Sequence, residues 1–124
     1  MRCARLGPFD VEVPETRRER ARGLLGRSGL AEGRGLLLER CRSVHTFGMG
    51  FPIDVVLLDR RWRVVRVVPM RPRRLLLPRL GVRHVLEVAE GAAPRPGLRL
   101  TSSPAGPGSR PTRGAPGSGR RGRT

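Results

Sequence analysis

Ser43-Val44-His45-Thr46-Phe47-Gly48-Met49-Gly50-Phe51-Pro52-Ile53-Asp54-Val55-Val56-Leu57-Leu58 holds two β-prone runs, residues 43–47 and 53–58, around a Gly-rich centre. The pattern predicts a β-hairpin whose tip is blunted by Pro52. Asp59 to Arg61 then reads as a turn, and the β-branched run Trp62 to Val68 as the next strand before Pro69 breaks it. Two adjacent hairpins make a meander, so the fold is expected to be mainly antiparallel β.

The flanks extend this reading. Phe9, Val11 and Val13 alternate with Asp10 and Glu12, the period of a strand with one buried face. Thr16 and Glu19 have capping-box spacing, and Ala21, Leu24 and Leu25 form one apolar stripe on a short helix that Gly26 is expected to stop. Leu36 to Leu38 suits a strand buried on both faces, although three leucines alone do not exclude a helical turn. Arg71 to Leu80 reads as a Pro-punctuated loop. Val82 to Val88 is a strand with Val82, His84, Leu86 and Val88 on one face, and Leu98 to Thr101 a last edge strand. The organisation expected is a lead-in over 1–8, one domain over 9–101, and a tail over 102–124 whose Ser/Pro/Gly/Arg composition cannot offset the entropy of ordering it.

Composition narrows the functional classes. The net charge of +16 comes from 26 basic residues, all Arg, against ten acids. An RNA-binding surface would normally mix Lys with Arg, whereas Arg without Lys beside abundant Ala, Gly and Pro is what a GC-rich bacterial genome tends to encode. Weak, salt-sensitive adhesion to polyanions is expected in either case. Aromatics are scarce, which counts against a dedicated reader of single strands. Cys3 and Cys41 fit free thiols in a reducing compartment, not a disulfide framework or a zinc site. No signal-like start and no apolar run long enough for a membrane span occurs, so the default expectation is a soluble cytoplasmic protein, with export open if the true start lies upstream. No nucleophile elbow, phosphate-cradling Gly loop or His-Glu-x-x-His appears.

The hairpin carries the candidate chemistry. With Met49 and Gly50 at its centre, His45 faces Asp54 on the neighbouring strand, with the side chains about 5 Å apart. Such a pair fixes the imidazole tautomer and raises its basicity. A register shift at Pro52 would instead send Asp54 to the other face. A small pocket lined by His45, Phe47, Met49, Asp54 and Trp62 is the candidate ligand site, and a buried hydrogen bond pinning the hairpin is the structural alternative. Cys41, His45 and Met49 would suit a soft ion only if all three pointed inward, so no metal and no cofactor is assigned. His84 reads as a satisfied core histidine, and Trp62 as the seal at one end of the barrel.

His45-Thr46-Phe47-Gly48-Met49, Phe51-Pro52-Ile53-Asp54-Val55-Val56 and Leu58-Asp59 resemble the signature of domain of unknown function 192. Residues 19–27, Arg63-Val64-Val65, Val85-Leu86-Glu87-Val88 and Gly91 extend the resemblance over about 9–100. It implies a compact, barrel-like, mainly β domain with one short N-terminal helix (α+β, mainly β) and no established activity. Two departures stand out. Gly50 replaces an Arg, which weakens any anion-binding role of the tip, and Thr101-Ser102-Ser103 replaces a closing Gly-Asp, which points to a frayed last strand. The leading expectation is a non-catalytic module binding a small ligand or a protein on the 45–54 hairpin face, a protein partner being added as a strand at the sheet edge. The alternatives are an Arg-driven nucleic-acid-associating protein using the tail and the 71–79 loop, and an enzyme with His45 as base and Asp54 as its orienter.

Overall fold

The computed structural model describes residues 1–46 and 49–103. Its centre is β5 (Ile53–Leu58), where all six residues are buried. Alternation along the strand sends Ile53, Val55 and Leu57 into one apolar cluster and Val56 and Leu58 into another, so this strand must be covered on both sides. It pairs antiparallel with β6 (Val64–Met70) and with β8 (His84–Ala89).

Beyond β8 lies β3 (Arg34–Leu38), antiparallel to β8 and parallel to β2 (Phe9–Val13). β1 (Arg2–Leu6) pairs with β2, and the last described pair, β9 (Ser102–Ser103), adds to β1. The seven-stranded order is β6-β5-β8-β3-β2-β1-β9. The domain is mainly β with one short helix, as expected, but the expected barrel-like antiparallel sheet is corrected: β2 and β3 pair in parallel and the ladder is not closed. One isolated bridge, Arg63 with Arg99, ties the last segment to the start of β6, while Gly7 N–H donates to the Thr101 carbonyl at 2.8 Å.

A separate ribbon pairs β4 (Val44–His45) with β7 (Leu75–Leu76). The expected 45–54 hairpin does not form, because β4 finds its hydrogen bonds elsewhere. Thr46 is fully buried; its hydroxyl donates to the Arg71 carbonyl at 2.6 Å and accepts from the Arg74 N–H at 2.8 Å. Its backbone N–H donates to the Arg74 carbonyl at 2.8 Å. One threonine thus satisfies the polar groups of the 71–74 loop and holds β7 against β4.

Local signals survive with adjusted ends. The helix α1 (Arg17–Arg22) carries the capping box: Glu19 N–H donates to Thr16 Oγ1 at 3.0 Å, and Glu19 Oε1 accepts from Thr16 N–H at 3.2 Å. It ends at Gly23, not Gly26, since Gly23 has φ +48° and its N–H closes on the Glu19 carbonyl. Residues expected as a lead-in supply β1, turned into β2 by Gly7-Pro8. Pro69 lies inside β6, which is tolerable on an edge strand. The tail beyond residue 103 lies outside the described residues. None of the described helices is long and apolar enough to cross a membrane.

Gly35 permits the close approach of β3 and β8: an added Cβ would sit 2.9 Å from Leu86 Cδ1 and 3.1 Å from the Glu87 carbonyl oxygen, which is backbone. Gly35→Ala should lower stability by about 1–3 kcal/mol through overpacking, measured by urea unfolding. An unchanged midpoint would show that the two strands can part at no cost.

Candidate functional site

Glu87 stands in β8 between Leu36 of β3 and Val55 of β5. It shares the parity of Val85, so its side chain leaves the sheet on the face that Leu24, just beyond α1, and Val44 of β4 cover. The side chain belongs to an apolar strand and is only 4% exposed with the rest of the residue. Among the described residues no hydrogen bond or ion pair reaches its carboxyl group, and burial pushes its pKa up to about 7.

Glu87 lines a cavity of about 140 Å³. Leu24, Leu36, Leu38, Val44 and Met49 form apolar walls, and the exposed Arg20, Arg22 and His45 lie towards solvent. The elements explain the placement. Gly23 breaks α1 so that Leu24, 2% exposed, turns down onto the sheet, and the β4–β7 ribbon brings Val44 and His45 over the same face. Cys41 also lines the cavity, and its thiol donates to the Ser43 carbonyl at 3.1 Å. Among the described residues no three His, Cys, Asp or Glu side chains converge as metal ligands do.

The residues singled out in the sequence are therefore divided. His45 and Met49 share this cavity. Asp54 has the parity of Val56 and lies on the opposite face, where its Oδ2 accepts the Gly91 N–H at 3.0 Å. Its strand neighbours are Pro69 and Val88, while His45 faces Leu75, so the expected carboxylate–histidine pair is corrected and no general base is assembled from it. Trp62, at φ +66°, stacks on His84 with ring centroids 4.0 Å apart and planes at 3°. His84 Nδ1 accepts the Arg40 N–H at 3.1 Å, which leaves the neutral ring's proton on Nε2. Phe47 lies outside the described residues. Sequence reasoning missed Glu87, although a lone acid inside Val85-Leu86-Glu87-Val88 is a signal: in a strand buried on both faces it has no solvent side to turn to.

The model of the DUF192 family, described as an uncharacterized ACR, matches residues 3–102. The UPF0127 protein PH1112 of Pyrococcus horikoshii is 39% identical over 49 residues, 40% of this chain and 43% of that relative, so the match spans less than half of the relative's length. A solved protein of unknown function from Novosphingobium aromaticivorans has a TM-score of 0.65 at 23% identity over 80% of this chain and 83% of its own. A solved protein from Sinorhizobium meliloti has 0.69 at 22% over 82% and 92%. These two likenesses concern the fold alone. With the family model spanning nearly all of the sheet just described, the chain belongs to the DUF192 family, whose members are uncharacterised.

Proposed function

We propose that the protein is a non-catalytic binding module that holds a small, largely apolar ligand in the cavity above Glu87, with a hydrogen-bonding group of the ligand on the Glu87 carboxyl. The observation that carries this reading is the buried carboxyl without a partner among the described residues, set in apolar walls. Leaving such a group unsatisfied costs about 1–3 kcal/mol, which a ligand's donor or acceptor recovers. The volume of about 140 Å³ matches a ligand near the size of benzene. In this reading His45 and Met49 line the ligand's cavity beside Glu87 and not beside Asp54.

The Glu87 carboxyl makes stability depend on pH. Its folded value of about 7 lies above the ordinary 4.5, so the native state binds the extra proton between these values. The contribution is fully present below pH 4.5 and lost as pH rises towards 7, about 3 kcal/mol in all. His84, whose pKa burial lowers from 6.5, contributes with the opposite sign, and both proteins compared below retain it. Glu87→Gln should therefore gain stability relative to the wild type as pH rises from 5 to 8, read from melting temperatures at each pH. Parallel curves would mean that the carboxyl is charged throughout.

Binding is tested with benzene and phenol as probes at equal concentration. Both should shift the amide resonances of Leu24, Val44 and Met49, and phenol should raise the melting temperature more because it can hydrogen-bond to Glu87. Glu87→Leu should retain the benzene response and lose the preference for phenol. Absence of any shift at those three residues would sink the ligand reading.

A further inference from the structure

Two adjoining open grooves, of about 740 and 680 Å³, share Arg60 and Arg83, and the first meets the Glu87 cavity only at Arg20. Arg20, Arg40 and His84 line the first, Arg61 and Arg63 the second. The acids in their walls are already engaged. Glu15 and Glu39 both pair with Arg2, at 3.3 and 2.8 Å, and Asp59 Oδ1 accepts the backbone N–H groups of Arg61 and Arg63 at 2.8 and 3.0 Å. Among the described residues no carboxylate lies within ion-pair distance of the guanidinium groups of Arg40, Arg60, Arg61, Arg63 and Arg83; Asp59 stays charged near Arg61 and Arg63, but six arginines against three acids leave the lining net positive.

We infer that this double groove is a docking surface for the phosphodiester backbone of duplex nucleic acid. Guanidinium groups drawn from α1, the segment after β3, the turn before β6 and the segment before β8 form an extended array, and its openness suits a repeating polyanion better than one enclosed phosphate. The backbone beneath the array is tied down. Arg40 and Trp62 are two of the three non-glycine residues with positive φ among the described residues, at +54° and +66°, and both close on His84 through the N–H to Nδ1 bond and the ring stack. The Arg83 N–H donates to the Leu58 carbonyl at 2.7 Å, which ties that segment to β5. The same stack decides the form of nucleic acid. Trp62 is only partly buried, but one face is covered by His84 and the residue packs against the core, while Phe9 and Phe51 are buried, so among the described residues no fully exposed ring is offered to unpaired bases. Recognition is of backbone, not of sequence. It depends neither on the cavity ligand nor on the 71–79 loop.

The test measures binding of the full chain to a fluorescent duplex of roughly 20 base pairs and to one of its single strands across a salt series. Arg60→Ala/Arg83→Ala is compared with Arg66→Ala/Arg95→Ala, exposed arginines outside both grooves that remove the same charge. Expected are a lower affinity for the groove variant, a salt slope reduced by about 2, little change in the control, and no preference for the single strand. Equal changes in both variants would reduce the binding to net charge and overturn the groove, as would stronger binding of the single strand. Melting curves of both variants establish that the fold is retained.

Discussion

A strand that is apolar on both faces has to be buried twice, and β5 imposes that requirement on everything around it. Its two strand neighbours satisfy its backbone, but its side chains need cover above and below. On one side the sheet itself supplies it, through residues such as Leu6, Phe9 and Val11 of the N-terminal strands and Leu100 of the last segment. On the other side there is no second sheet of comparable size. The cover is assembled from pieces: Leu24 beyond the helix, Val44 on the short ribbon, and Met49 and Phe51 between the ribbon and β5.

A cover made of pieces leaves gaps, and this connects the packing to the candidate site. The pieces meet over β8, where Glu87 occupies a position that strand alternation sends inward. An acid there weakens the fold at neutral pH relative to a neutral side chain of the same shape, because its charged form is buried. Such a cost, together with the space above the carboxyl, separates this face from the opposite one. There the buried carboxylate of Asp54 has a donor in the Gly91 N–H and serves the structure of a turn.

The charged surface follows a different logic. With 26 arginines and ten acids, most guanidinium groups must go without a carboxylate. Which ones do so is decided by local bonding: Glu19 is drawn into the helix cap and held at about 2 by the N-terminal ammonium and by backbone N–H groups, and Asp59 is spent on its own turn. At the end of the sheet where Trp62 and His84 stack, six arginines line the two grooves against three acids.

Features that depend on near neighbours in the chain were legible in the sequence. The capping box of Thr16 and Glu19, the alternation of Phe9 to Val13 and the apolar run of β5 each declare themselves within a few residues, because cap geometry and strand period are local, whereas Leu36 to Leu38 left a helical turn open until pairing placed them in β3. Strand partners were not legible. Whether Val44-His45 pairs with Ile53-Asp54 or with Leu75-Leu76 depends on Thr46 finding Arg71 and Arg74, 25 and 28 residues away, and no local period encodes that choice. His45 and Asp54 were separated, and His45 and Glu87 brought to one cavity, by that long-range pairing together with the parity of β8, which only the assembled sheet decides.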